Sequence, residues 1–167
     1  MRGNIFSTAY LLSNVIAVLI VYLCILKPAF GRMCISLLFI GASVVNTVIA
    51  ISHPRLYLTY ADVAAMPLYV QFINGFFSRH ITTIILSIAA AQFIIGSLLI
   101  WKGALEKFAL WGAAMFLVAI APLGAGSSFP SSLLLALACL LLMREKEIKP
   151  WPETLFHIKS DSKKIIS

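Results

Sequence analysis

Five long apolar runs, parted by stretches that carry most of the charges, constrain this chain more than any other feature. They cover residues 5–26, 33–52, 81–101, 105–122 and 128–143. A backbone in lipid must pair its N–H and C=O groups within itself, so runs of this kind cross as α-helices. The first has 22 residues. At 1.5 Å per residue a helix of that length reaches roughly 33 Å, against a hydrocarbon core of ~30 Å. Composition agrees, since 61% of the residues are hydrophobic and only 11% charged, where soluble domains carry about 25% charged. The expected fold is therefore all-α: a polytopic membrane bundle of five transmembrane helices (1–143) with a basic cytoplasmic tail (144–167). A secretory leader is the rival reading of the first run, because Arg2 precedes it. Its apolar part exceeds the ~7–15 residues of such leaders and no small-x-small site precedes Lys27-Pro28, so a retained helix is expected.

Charge sets the expected orientation. With five spans, one side of the membrane receives Lys27, Arg32, Lys102, Lys107, Arg144, Lys146, Lys149, Lys159, Lys163 and Lys164, ten of the 13 basic residues. The other side receives Arg2, Arg55 and Arg79. An excess of Lys and Arg marks the cytoplasmic side, which puts the N-terminus outside, the C-terminus in the cytoplasm, and the protein in a plasma (inner) membrane. The tail, with Trp151 and Phe156 near Pro150-Trp151-Pro152, suits an anionic lipid surface. Lipid and a membrane protein are thus the expected partners, and nucleic acid is not. Cys24, Cys34 and Cys139 form no CxxC or Cys/His pattern and read as small packing residues near the cytoplasmic helix ends.

Asn46 and Gln92 place amides in the second and third apolar runs. Ala42, Asn46 and Ala50 share one face of the second run, and Ala89, Gln92 and Gly96 one face of the third. Small faces let helices approach closely, and an amide in lipid seeks a partner across the contact, so Asn46 and Gln92 are expected to be packing residues. Otherwise the span interiors are read as free of charge. The Gly124–Pro130 stretch is expected to turn the chain, with Ser127 or Ser128 capping the last helix and Pro130 in its first turn.

The loop from His53 to His80 holds most of the remaining chemistry. Its 28 residues include six aromatics, Tyr57, Tyr60, Tyr69, Phe72, Phe76 and Phe77, most of them expected as interface anchors. Thr59-x-x-Asp62 reads as a helix start that Pro67 interrupts, so a short helical outer cap is expected. The candidate ligand-binding set is His53, Tyr60, Asp62, Tyr69, Gln71, Asn74, Arg79 and His80. Asp62 is the sole acid expected on the outer side, suited to an ion pair with Arg79 or a histidine. His53 and His80 end neighbouring spans, but two histidines without a third ligand in pattern do not define a metal site. No catalytic motif is present, and the lack of mid-membrane charge disfavours a classical ion-coupled transporter.

The run Asn46–Tyr69, with His53-Pro54, then Tyr57, then Pro67-Leu68-Tyr69, resembles the DoxX-like family of small membrane proteins. Trp111-Gly112 to Pro122 is similar to the later spans of that family, and the likeness extends over about residues 33–143. The resemblance implies a four-helix membrane bundle, to which the run 5–26 adds a helix in front. It also implies a link, in some members, to quinone-dependent sulfur oxidation or redox-stress complexes. Two functions are therefore carried forward. One is a non-enzymatic membrane subunit or scaffold that binds a lipid or protein partner and has no cofactor. The alternative is a quinone-linked oxidoreductase component, with His53 and Asp62 exchanging protons with the ring and Tyr60, Tyr69 or Phe72 stacking on it.

Overall fold

A computed structural model describes residues 8–101 and 103–145. The start of the first run at Ile5, Lys102 and the tail beyond Glu145, with Trp151 and Phe156, lie outside them. The described residues are helical throughout: α1 (Thr8–Leu26), α2 (Pro28–Ser52), a 3-10 helix (Pro54–Asp62), α3 (Pro67–Phe72), a π-helical turn (Ile73–Phe77), α4 (Ile81–Leu98), α5 (Ala104–Ile120), a second 3-10 segment (Ala121–Ser127) and α6 (Ser131–Arg144). Three helices are long and apolar enough to cross a membrane, over Pro28–Ser52, Ile81–Leu98 and Ala104–Gly124, and two shorter apolar helices, Tyr10–Leu26 and Ser131–Arg144, flank them. Large apolar side chains such as Leu11, Val15, Leu19, Val44, Val48, Ile94 and Met115 face outward along these helices. That much apolar surface marks a membrane protein.

α2 and α4 run antiparallel. α2 packs most extensively on α4, in a register set by three hydrogen bonds. Ser36 Oγ donates to Gly96 O at 2.5 Å, Asn46 Nδ2 to Gln92 Oε1 at 2.7 Å and Thr82 Oγ1 to Ala50 O at 3.4 Å. One side of α4 (Ile81, Ile85, Ala89, Gln92, Gly96) is buried, at the three- and four-residue spacings of a single helix face. Contact is closest at Gly96, where a Cβ would lie 2.7 Å from Ile40 Cγ1 and 3.0 Å from Ser36 O. Gly96→Ala must therefore spread two backbones, and a loss of about 1–3 kcal/mol is expected in thermal or denaturant unfolding.

The core divides along the bundle axis. One cluster, including Ile20, Ile35, Phe39, Leu99, Leu110, Leu117, Cys139 and Leu142, joins α1, α2, α5 and α6. The other joins the α2–α4 connection to the helices beneath it, through Ala50, Tyr57, Ile73, Phe77, Ile81 and Ile85. The 53–80 connection is thus a packed cap.

The structure corrects several boundaries. α2 starts at Pro28, not Met33, because proline suits the first turn of a helix and a single residue, Lys27, makes the bend. Arg32 is thereby drawn into the second turn of α2, where it is fully buried. Its Nη1 lies 2.8 Å from Glu106 Oε1 and donates to Trp101 O at 3.3 Å. The expectation of uncharged helix interiors therefore fails at this end of the bundle: Glu106, in the first turn of α5, is only 7% exposed. A residue read as part of a turn acquires a charge partner once the turn shrinks.

In the cap, the 3-10 helix begins at Pro54 and ends at Asp62, so Thr59-x-x-Asp62 closes a helix instead of opening one. Thr59 Oγ1 turns back to donate to Leu56 O at 2.7 Å. Pro67 opens α3 from its first position and does not interrupt a helix. Neither Ser127 nor Ser128 caps α6. Its N-cap position is Pro130, and Ser127 Oγ is spent within the preceding turn, donating to Gly124 O at 3.0 Å.

Candidate functional site

The cap covers a half-open cavity of about 260 Å³ against α2, α4 and α5. Apolar walls come from Ile84, Ile85, Ile88, Phe116 and Ile120, and the roof from Tyr57, Tyr60, Tyr69, Phe72 and Phe77. Among the described residues no charged side chain lines it. Besides Ser127, its polar groups include a relay at one wall. Tyr57 Oη donates to Asn46 Oδ1 at 2.9 Å, and Asn46 Nδ2 donates to Gln92 Oε1 at 2.7 Å. Both amides line the cavity with the tyrosines. The Gln92 oxygen is occupied, while its Nε2 donates no hydrogen bond among the described residues, so one end of the relay retains a donor.

Local folding explains the roof. The sharp exit from α2 at His53-Pro54 turns the 3-10 helix back over the bundle. Tyr57 lands 5% exposed beside Asn46, nearly two turns inside the end of α2. The Tyr57 and Tyr60 rings meet edge to face, 5.8 Å between centroids. Tyr69 Oη donates to Ala119 O at 2.5 Å, which fixes α3 over the last turn of α5 and satisfies a carbonyl that the helix end would leave open. Burial pushes the Tyr60 phenol above its ordinary value of 10.0, and burial together with the neighbouring Tyr60 does the same for Tyr57. Both phenols therefore keep their protons at neutral pH, and Tyr57 donates its own to Asn46.

The structure divides the candidate residues. Tyr60 and Tyr69 line the cavity, in company with Asn46 and Gln92. His53, Asp62, Gln71, Asn74, Arg79 and His80 are exposed on the outer side of the cap and do not line it. Among the described residues Asp62 makes no ion pair. His80 lies against Phe76 with ring centroids 5.0 Å apart. No group of three or more metal-ligating side chains occurs among the described residues. Tyr57 was visible as an aromatic in the loop but not as a site residue. The signal for it was its position four residues after His53, at the reach of a chain folding back onto α2.

A second cavity, of about 270 Å³, lies between α1, α2, α5 and α6. Ile16, Ala17, Ile35, Leu38, Phe39 and Leu135 form its apolar wall, and Ser13, Ser127, Ser128, Ser131 and Ser132 its polar side. Gln92, Phe116, Ile120 and Ser127 border both cavities. No family model, curated protein or solved structure matches the chain.

Proposed function

We propose that the chain is a five-span membrane protein, DoxX-like with one additional N-terminal helix, that binds an uncharged lipid-phase molecule beneath its aromatic cap. The observation that carries this reading is the cavity itself: apolar and aromatic walls, no charged side chain among the described residues, and a short relay ending in an unspent amide donor. Small-molecule sites have this make-up, mostly apolar with a few placed polar groups. The function is binding, in the manner of a membrane subunit or scaffold, because no nucleophile–base pair accompanies the cavity. The orientation rests on charge: Lys27 at the α1–α2 bend and Lys107 in the first turn of α5 mark the cytoplasmic side. The N-terminus and the cap are then outside.

The relay favours a quinone as one member of the ligand class. A ring carbonyl accepts hydrogen bonds from phenol or amide donors, and Tyr60 and Phe72 offer aromatic faces. His53 and Asp62 lie outside the lining, so proton exchange would fall to other groups, and a partner would supply electrons.

Native mass spectrometry from mild detergent tests the reading. A bound neutral mass is expected on the wild-type chain. It should vanish in Ile88→Trp, which fills the cavity, and weaken in Asn46→Ala, which cuts the relay. A bare chain, or one carrying only bulk phospholipid in all three proteins, would overturn it.

A further inference from the structure

The cap-side cavity is half-open, and the helices around it show where. α4 turns one face toward α5: Ile84, Ile88, Ala91 and Ile95 recur at the three- and four-residue spacings of a single side. Away from the cap the two helices touch, and a Cβ on Gly112 would meet Ile95 Cδ1 at 3.5 Å. Toward the cap they part. Ile84 and Ile88 line the cavity from α4, with Phe116 and Ile120 lining it from α5. Ala91, between Ile88 and Ile95 on the shared face, is exposed, and so is Ala119, on the Gly112 side of α5. The pair accordingly packs far less extensively than α2 and α4 do.

The cap bridges this gap. Tyr69 Oη, near the start of α3, donates to Ala119 O on α5. The π-helical turn ends at Phe77, which shares a buried cluster with Ile81 in the first turn of α4. Phe72, between these two anchors, lines the cavity and is 46% exposed. Ile94 and Met115 flank the gap with exposed apolar side chains, so it opens sideways onto the hydrocarbon of a bilayer.

We propose that the gap between α4 and α5 is the entrance to the cap-side site, and that its ligand is a neutral lipid with a carbonyl head and a long apolar chain. The head sits beneath the cap and the chain stays in the gap. This rests on the cap-side binding reading and adds the route and the form of the ligand. A cavity of about 260 Å³ falls below the ~300–1,000 Å³ of common small-molecule sites, so it has room for a head but not for a long chain as well. A chain left among Ala91, Met115 and Ala119 remains in apolar surroundings without being buried by the protein. The head is an acceptor because the relay ends in the Gln92 amide, whose oxygen is occupied and whose Nε2 is the donor left to offer.

The test uses the full chain in nanodiscs and two photoreactive forms of a long-chain methyl ketone. One carries its diazirine beside the carbonyl, the other midway along the chain. Labelled residues are mapped by peptide mass spectrometry, with the unmodified ketone as competitor. The first form is expected to label Tyr60, Ile85 or Ile88, and the second Ala91, Met115 or Ala119, both saturably. Ala91→Trp, which fills the gap at a position that does not line the cavity, should remove the cavity labelling. Ala90→Trp, also exposed but turned away from α5, should leave it unchanged. If Ala91→Trp unfolds earlier than Ala90→Trp, Met115→Trp on the other side of the gap replaces it. Saturable head labelling with the chain labelled elsewhere, or with cavity labelling that survives in the gap variant, would overturn the entrance and leave the cap-side site standing. Head labelling that is unsaturable or absent from the cavity would overturn both.

Discussion

Glu106→Ala is expected to destabilise the bundle by about 3–5 kcal/mol, the usual result of leaving one member of a buried ion pair alone. Arg32 is 0% exposed and its guanidinium lies 2.8 Å from the Glu106 carboxylate. A guanidinium does not shed its proton to escape burial, so the charge stays where the fold has put it. The carboxylate also sits in the first turn of α5, where the helix dipole favours a negative charge. Glu106→Gln should cost less, because the amide oxygen still accepts a hydrogen bond from Arg32. The double variant Arg32→Met, Glu106→Leu should recover most of the loss, since an apolar pair of similar volume needs no desolvation. Thermal unfolding of the four proteins in one detergent checks this. Equal midpoints for wild type and Glu106→Ala would show that the pair is solvated and contributes nothing.

That pair also shows where sequence reasoning runs out. The apolar runs, their order and the position of the cap were legible, because helix length and hydropathy are local properties. Arg32 beside a glycine looked like part of a polar turn. Only the one-residue bend at Lys27, made possible by Pro28, moves it inside, and the meeting with Glu106 is a contact between residues far apart in the chain. The amides were legible for the opposite reason: an Asn and a Gln among small residues, each on one helix face, have few ways to be satisfied except by each other. Tyr60 and Tyr69 were legible as aromatics near a surface, but which of them faces inward depends on the 3-10 geometry after Pro54. The exposed polar residues of the loop drew attention because charge is conspicuous in so apolar a chain. The cavity is built from side chains that were inconspicuous for the same reason.

Gly124→Ala is expected to loosen the cap and weaken ligand binding together. Gly124 has φ +62° and ψ −128°, a region that residues with a Cβ rarely enter. A Cβ there would lie 2.5 Å from Val63 O, and that oxygen is backbone, so it cannot swing aside as a side chain would. The nearest relief is to lift the cap, which would break the Ala65 N–H to Pro122 O bond of 2.9 Å that joins the cap to the α5–α6 turn. The expected loss is about 2–4 kcal/mol, ~1–3 for the strained backbone and ~1 for the hydrogen bond. Gly112→Ala is the control. It sits mid-helix in α5, where an added methyl meets Ile95 Cδ1 at an ordinary 3.5 Å, and alanine is the better helix former. Unfolding midpoints should therefore fall in Gly124→Ala and hold or rise in Gly112→Ala. Native mass spectrometry should show the bound molecule lost from the first protein alone. Retention of ligand by a destabilised Gly124→Ala chain would mean that the cap does not hold the ligand, and would move the binding site out from beneath it.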